Sequence, residues 1–304
     1  MKNFEICTVG HITLDKVVTR QNTQIMAGGT AYYLSRALGQ LEVNASLVTA
    51  IAASDTAILK EIRNQGIRVF NLPTRNTVYF ENIYGEDMNR RDQNVLQVAD
   101  PISPDQFPEV NARYYHLGAL LASDIPLALI RSLHGKGKIS MDIQGHLRHL
   151  VYQKVAYRDW HEKREALQYV SILKTNEFEM EVVTGTKDIY VGANYLADLG
   201  VEEVIVTLGD RGSVILSEGR FTQIPAFRPQ QVTDTTGCGD SYMAGYLYKR
   251  ARNGGIEEAG HFGSALASIK TEHFGPFSRD EAAIENTIAS AEKTFAVLKE
   301  LQFL

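Results

Sequence analysis

Short apolar runs alternate with helical patterns along most of the chain, and this alternation restricts the fold more than any other feature. Runs with the length and composition of buried strands lie at 5–9, 45–51, 114–117, 139–142, 170–173, 204–207 and 213–216. Helical spacing recurs between them, as in Ala31, Leu34 and Leu38. This order is typical of a parallel sheet covered by helices. The sequence therefore predicts an α/β fold with a doubly wound, mostly parallel sheet and helices on both faces.

Two segments, 13–27 and 76–98, interrupt the alternation. In the second, Val78 and Phe80 alternate with Tyr79 and Glu81, and turn and charge signals at 85–91 predict a β-hairpin. Together the segments predict a small β-sheet lid that projects from the main domain; alternatively, they extend an edge of the main sheet. Because no repeat or Pro/Ser-rich linker divides the sequence, we expect a single domain over 1–304.

Charge and composition favour a small-molecule partner. The formal net charge of -5 provides no basic field for a nucleic acid or a membrane surface. The apolar runs are shorter than the roughly 18 residues of a membrane span, and the first residues lead into a strand pattern rather than a signal peptide. Cys7 and Cys238 lie far apart in sequence and form no metal-ligand spacing, so they suggest neither a disulfide framework nor a zinc site. We expect a cytoplasmic protein.

The segment 234–240, Asp-Thr-Thr-Gly-Cys-Gly-Asp, precedes a helical pattern at 241–252 and is called the anion loop below. Its glycines allow a tight turn whose N–H groups converge at the positive end of a helix dipole, which is a site for an anion. In phosphoryl transfer the amides of Gly237, Cys238 and Gly239 would hold the transferring group, and Asp240 would accept the proton of the attacking hydroxyl. The alternative is a glycine turn with an Asp helix cap.

The anion loop resembles the C-terminal signature of the ribokinase-like carbohydrate kinases, the PfkB family. Further matches follow in family order: Gly10 and Asp15 in VGHITLD, the glycine pair Gly28 and Gly29, the N-x-x-E segment with Asn176 and Glu179, and the T-x-G-x-x-G loop with Thr207, Gly209 and Gly212. The resemblance spans nearly the whole chain. It implies a kinase that uses ATP and Mg²⁺, often with a monovalent cation such as K⁺ near the anion loop, and a lid that can pair two copies into a homodimer.

The resemblance also distributes roles among the residues. Acceptor binding is expected at Asp15, Gly28, Gly29, Thr30, Tyr33, Gln144 and Arg148. Nucleotide binding is expected at Asn176, Thr207, Gly209, Gly212, Thr235 and Ala265. Glu179 would act on Mg²⁺ through bound water, because this ion keeps much of its hydration shell. Asn176 and Glu179 also fit a plain capping box at a helix start, and both readings can hold together.

Departures from the family pattern bear on the acceptor. Tyr33 stands where ribokinases carry a sugar-binding Asn, which puts ribose in doubt. The stretches GHITLD, GGTAYY and DIQGHLR instead resemble a subgroup that includes myo-inositol kinases. Cys238 replaces the usual alanine and would be oxidation-sensitive if the helix start lowers its pKa.

The predicted function is therefore phosphorylation of a free sugar or cyclitol. A nucleoside kinase and a non-catalytic sugar- or nucleotide-binding relative are the alternatives. An NAD-dependent oxidoreductase is disfavoured, because no G-x-G-x-x-G follows the first strand.

Overall fold

The computed structural model describes residues 3–18, 22–84 and 91–301. Its strands are β1 Asn3–Val9, β2 Thr13–Val18, β3 Thr23–Gly28, β4 Ala45–Ala50, β5 Arg68–Leu72, β6 Val78–Tyr84, β7 Arg91–Gln97, β8 Asn111–Leu117, β9 Lys138–Asp142, β10 Arg148–Val151, β11 Lys154–Tyr157, β12 Ile172–Asn176, β13 Glu203–Thr207, β14 Ser213–Ser217 and β15 Arg220–Ile224. Its helices are α1 Thr30–Gln40, α2 Leu59–Asn64, α3 Leu127–Leu133, α4 Lys163–Ala166, α5 Glu177–Thr184, α6 Ile189–Asp198, α7 Cys238–Ala251, α8 Ile256–Thr271 and α9 Glu281–Leu301.

The larger sheet has the order β15-β14-β13-β12-β9-β8-β1-β4-β5. The strands from β13 to β5 pair in parallel, and β14 and β15 add an antiparallel edge. The predicted mostly parallel α/β fold is confirmed. β5 and β15 were not predicted, and the run predicted at 170–173 misses the polar end of β12, where Lys174, Thr175 and Asn176 continue the strand.

Helices cover both faces of this sheet, as predicted. Successive side chains of a strand point to opposite faces, and on β1 Ile6 packs into one core cluster while Cys7 packs into the other. The first cluster holds the apolar sides of α1, α7 and α8. The second holds those of α3, α5 and α6. The carboxyl ends of the parallel strands therefore open at one edge, where α/β proteins place their ligands.

The smaller sheet has the order β10-β11-β7-β6-β2-β3. The two interrupting segments provide four of these strands and do not extend the larger sheet. β6 and β7 form an antiparallel hairpin, while the turn predicted at 85–91 lies outside the described residues except for its last position. β10 and β11 were not predicted, because each is four residues long and lacks a clear polar alternation. Val78, Phe80 and Val95 pack with Leu120 and Leu121 beneath this sheet.

Within the described ranges, no helix combines the length and the apolar character that crossing a membrane requires.

Candidate active site

A cleft of about 770 Å³ lies at the carboxyl ends of the parallel strands and is walled by both sheets. The smaller sheet contributes Thr13, Asp15, Phe80 and Gln93, and the larger sheet contributes the ends of β9, β12 and β13. Most of the predicted site residues line it: Asp15, Gly29, Thr30, Tyr33, Gln144, Arg148, Asn176, Thr207, Gly209, Thr235, Gly237, Cys238, Gly239 and Asp240. The structure thus brings residues from distant parts of the chain to one cavity.

The anion loop meets the cleft at the start of α7. Gly237 is the residue before the helix, with a φ of 76° in the left-handed region that favours glycine. A Cβ at this position would also collide with the ring of Tyr33. The following residues, Cys238, Gly239 and Asp240, form the first turn of α7 and line the cleft. The positive end of a fourteen-residue helix therefore faces the cavity, as an anion site requires.

Asp240 is partly buried at this helix start and forms a hydrogen bond with Thr30. Burial and the nearby carboxylate of Asp142 raise the pKa of Asp240 to about 6, although Lys174 and Thr30 oppose this rise. A carboxylate with this pKa is ionised at neutral pH and still binds a proton readily. Asp240 therefore has the properties of a general base.

A buried ion pair, which the sequence reasoning missed, lies beneath the anion loop. Lys174 on β12 stands opposite Asp142 on β9, and its Nζ lies 2.8 Å from Asp142 Oδ2. Both residues line the cleft, and a Cβ added to Gly239 would lie 2.9 Å from Lys174 Nζ. Burial lowers the pKa of Lys174, but Asp142 and Glu179 raise it to a net value above the usual one. A lysine that continues an apolar strand, as in Ile-Leu-Lys, was the available sequence signal.

Asn176 and Glu179 form the capping box at the start of α5. Asn176 Oδ1 accepts from Glu179 N at 2.8 Å, and Glu179 Oε2 accepts from Asn176 N at 2.9 Å. Glu179 Oε1 accepts from Gln144 Nε2 at 3.1 Å. Asn176 and Gln144 line the cleft, whereas Glu179 is buried behind them, and burial raises its pKa. The capping arrangement is present, and the action of Glu179 on magnesium stays a prediction.

The charges in this region suit a divalent cation that keeps its water. Asp142, Glu179 and Asp240 all interact with the single ammonium of Lys174, so the carboxylates outnumber the cation. In the described parts of the chain, no three His, Cys, Asp or Glu side chains form a direct metal cluster. Mg²⁺ usually takes one or two carboxylates together with waters and phosphates. The residues present therefore fit a magnesium ion that would be bound through water to the protein and directly to the phosphates of a phosphoryl donor.

The glycine pair shapes the end of the cleft that Asp15 lines. Thr13 Oγ1 donates to Asp15 Oδ1 at 2.7 Å. Gly28 does not line the cleft, but a side chain there would collide with the carboxylate of Asp15. Gly29 has a φ of 89°, and a Cβ there would lie 2.9 Å from the carbonyl oxygen of His11. Gly28 therefore leaves room for the carboxylate of Asp15, and Gly29 allows the chain to turn close to His11.

Arg148 is buried at the same end of the cleft. Its Nη2 donates to Gln93 Oε1 at 2.7 Å, and its guanidinium carbon lies 6.0 Å and 5.9 Å from the ring centres of Phe80 and Tyr157. Its Nε is buried and has no hydrogen-bond partner among the described residues. An unpaired buried donor is costly, and this guanidinium therefore has an unused hydrogen-bonding group beside the cleft.

Thr207, Gly209, Thr235 and Asn176 line the opposite part of the cleft. Gly212 and Ala265 do not reach it. Gly212 packs where a Cβ would collide with the carbonyl oxygen of Ile224, and Ala265 is fully buried in the core cluster of α7 and α8. Small residues at these two positions serve packing in the structure.

The expected oxidation sensitivity of Cys238 is not supported. Burial raises the pKa of this thiol to about 11, and Asp234 and Asp240 add to that effect against Lys270. The pKa is therefore raised and not lowered, because desolvation of the thiolate outweighs the effect of the positive helix end. The thiol stays protonated near neutral pH.

Comparison with known proteins gives matches over most of the chain. The family model for the pfkB family of carbohydrate kinases matches residues 3–282. A cytidine kinase of Thermococcus kodakarensis is 25% identical over 285 residues, which cover 90% of this chain and 99% of the relative.

Solved structures match over a similar extent. A pyrophosphate-dependent kinase in the ribokinase family, complexed with a pyrophosphate analog and myo-inositol, has a TM-score of 0.83 at 26% identity, covering 92% of this chain and 99% of the other. Arabidopsis thaliana ribokinase complexed with ribose and ATP has a TM-score of 0.77 at 19% identity, covering 94% and 99%. The second likeness shows a shared fold.

Proposed function

Because the chain belongs to the pfkB family of carbohydrate kinases, we propose that it phosphorylates a hydroxyl of a free sugar or cyclitol with Asp240 as the base. Family membership itself makes the chain a phosphotransferase of a sugar, nucleoside or cyclitol. One observation carries the finer proposal. Asp240 shares a single cleft with the amides of the anion loop and with the polar groups of Asp15 and Arg148.

The mechanism is in-line transfer. Asp240 takes the proton of the acceptor hydroxyl as its oxygen bonds to phosphorus, and the bond from phosphorus to the bridging oxygen of the donor breaks. The amides of Gly237, Cys238 and Gly239 hold the charge that develops on the transferring group. Asn176 and Glu179 would hold magnesium through water, and the ion would supply positive charge against the phosphates. The smaller sheet acts as a lid that excludes water from the reaction.

We propose ATP with Mg²⁺ as the donor, in line with family use and with the ATP-bound neighbour. Thr207, Gly209 and Asn176 are the expected contacts. Pyrophosphate is the second candidate donor, because the similar pyrophosphate-dependent kinase has a TM-score of 0.83. The burial of Ala265 away from the cleft also favours a donor that needs no base pocket at that position.

The Asp15 end of the cleft supports a free polyol as acceptor. Asp15, Thr13 and Gln93 offer hydrogen-bonding groups, while Phe80 and Leu120 offer apolar surface for a carbon ring. The neighbour bound to myo-inositol supports a cyclitol. A nucleoside is the alternative acceptor, which the similar cytidine kinase supports. A non-catalytic relative would retain binding without turnover.

The test is a matrix of two donors against a panel of acceptors. Mg-ATP and magnesium pyrophosphate are each incubated with ribose, fructose, myo-inositol, 2-keto-3-deoxygluconate, fructose phosphates and nucleosides, and the release of ADP or phosphate is followed. Turnover with a sugar or cyclitol supports the proposal. Turnover confined to nucleosides supports the alternative, and binding of donor and acceptor without turnover indicates the non-catalytic relative.

Replacing Arg148 by Met is expected to raise the KM for the acceptor about tenfold or more, because a charged hydrogen bond to the ligand is lost. Donor affinity should change little. Steady-state kinetics with each substrate varied in turn measure both effects. Arg131→Met is the matched control, since Arg131 pairs with Glu165 on the surface, away from the cleft. An unchanged acceptor KM in Arg148→Met would remove Arg148 from the acceptor site.

The pH dependence of kcat/KM should have an acidic limb with its midpoint near pH 6. The pKa of Asp240 is raised to about 6, so its carboxylate is protonated and unable to act as a base below that value, and activity rises as pH rises through it. A pH series at constant ionic strength measures the midpoint. A midpoint near pH 4, the range of an ordinary aspartate, would contradict Asp240 as a base with a raised pKa.

We also propose that the smaller sheet pairs two copies into a homodimer. Ile25 on the edge strand β3 is 61% exposed and Ile83 on β6 is 37% exposed, and both lie on the face of the sheet opposite to Asp15. Exposed apolar side chains on one sheet favour association. Light scattering of the purified protein measures the mass, and a monomer at micromolar concentration would contradict the pairing.

A further inference from the structure

Lys270, in the last turn of α8, has a fully buried ammonium at the start of the anion loop. Its side chain is 0% exposed. Its Nζ donates to the main-chain oxygen of Asp234 at 2.8 Å and to Asp234 Oδ2 at 2.9 Å. It also lies 5.8 Å from the ring centre of Tyr33, the residue that packs against Gly237. A buried charge needs specific partners, and here the partners belong to the loop that would hold the phosphoryl group.

Asp234 forms several hydrogen bonds that hold this end of the loop in place. Its Oδ1 accepts from Thr236 N at 2.9 Å, and its Oδ2 accepts from Gly275 N at 3.3 Å. Its own N–H donates to the main-chain oxygen of Thr271 at 3.0 Å. Burial raises the pKa of Asp234, but the hydrogen bonds from Lys270 and Thr236 lower it to a net value below the usual one. The ammonium of Lys270 therefore faces an ionised carboxylate.

A monovalent metal ion does not fit these oxygens. The main-chain oxygen and the carboxylate of Asp234 are suitable ligands for a hard cation, but both already bind the ammonium of Lys270. A second positive charge on the same atoms would lie within a few ångströms of the first, and like charges repel strongly in a poorly hydrated site. A monovalent cation that bound these oxygens would therefore meet a position that Lys270 already occupies.

We propose that Lys270 is a tethered monovalent cation that holds the anion loop in place and makes the protein independent of K⁺. It is a positioning residue, because it acts on the loop through Asp234. The loop begins at Asp234 and ends at Asp240. A displacement of Asp234 would therefore shift both the loop amides and the carboxylate of Asp240. The effect on turnover rests on the proposed kinase function; the effect on anion binding does not.

The wild-type protein gives the first test. Full-length protein is assayed in potassium-free buffer with choline chloride, KCl or NH₄Cl at equal ionic strength. The proposal expects kcat to differ by less than about twofold among the salts, since Lys270 already binds the oxygens of Asp234. Activation by KCl of about tenfold or more relative to choline chloride would overturn it.

Two substitutions separate the charge from the space that it fills. Lys270→Ala leaves a cavity, and its activity should fall about tenfold or more and recover in part with K⁺, NH₄⁺ or methylammonium. Lys270→Met fills the space without a charge, so its activity should fall equally and should not recover when a cation is added. Lys249→Met is the matched control, because Lys249 is a mostly buried lysine that pairs with Glu285 at the other end of α7. A folded Lys270→Ala protein that no cation restores would overturn the proposal.

Pyrophosphate binding separates this proposal from the proposed function. Calorimetry with pyrophosphate needs no acceptor and no turnover. The proposal expects wild type to bind pyrophosphate equally in KCl and choline chloride, and Lys270→Ala to bind it only when a small cation is added. If no acceptor turns over but this pattern appears, the kinase function fails and the tethered cation stands. If wild-type binding requires K⁺, the tethered cation fails whatever the turnover.

Discussion

Asp240→Asn is expected to lower kcat by about 100-fold or more, the usual contribution of a positioned base. The amide keeps the size of the side chain and can still bond to Thr30, but it cannot take the proton of the acceptor hydroxyl. Donor affinity should change little, because the amides of the anion loop belong to the backbone. Steady-state kinetics and calorimetry with the donor measure the two effects separately.

The pH profile makes this prediction sharper. Asp240→Asn should also lose the acidic limb near pH 6, because the group that titrates there is gone. Asp198→Asn is the control, since Asp198 is exposed at the end of α6, and it should keep both the turnover and the limb. Turnover within a few-fold of wild type in Asp240→Asn would assign the base to another group.

The anion loop could be predicted from the sequence because its geometry is local. Glycine is the residue that best adopts a left-handed φ, and Gly237 has such a φ directly before α7. The alternation of strands and helices likewise reflects short-range periodicity, and it predicted most strands of the larger sheet. The short strands β10 and β11 carry little periodicity of their own. They depend on pairing with each other and with β7, which is distant in sequence.

The ion pair of Lys174 and Asp142 could not be predicted, because strand order decides it. The two residues are far apart in the chain and become neighbours only when β12 pairs with β9 in the observed register. The contact of Lys270 with Asp234 depends in the same way on where α8 ends relative to the anion loop. Sequence motifs identified the groups that face the ligand, whereas the buried charges behind them required the fold.

Lys174→Met is expected to lower the free energy of unfolding by about 3–5 kcal/mol. Removing one partner of a buried ion pair leaves the other charge in a site with little water, and this costs more than the pair itself contributed. Lys174 and Asp142 are almost fully buried, and Nζ lies 2.8 Å from Oδ2. Urea denaturation of wild type and variant at neutral pH measures the difference.

The chain offers a matched control for this substitution. Lys138, on the same sheet, pairs with Glu202 at 2.7 Å, but the side chains are 47% and 55% exposed. Lys138→Met should cost at most about 1 kcal/mol, because solvent screens an exposed pair. Similar losses in the two variants would show that the pair of Lys174 and Asp142 is better hydrated than its burial indicates.

A double substitution tests the cause of the loss. In Lys174→Met with Asp142→Asn the carboxylate that pairs directly with the ammonium is removed as well, so part of the lost stability should return although two polar groups have been removed. The same ammonium lowers the pKa of Asp240, so Lys174→Met alone should also move the acidic limb of kcat/KM to higher pH. The double variant removes the opposing charge of Asp142 as well, and its limb should move back toward pH 6. Stability and pH profile would then change together, because one buried ion pair supports the sheet and both of its charges act on the pKa of the proposed base.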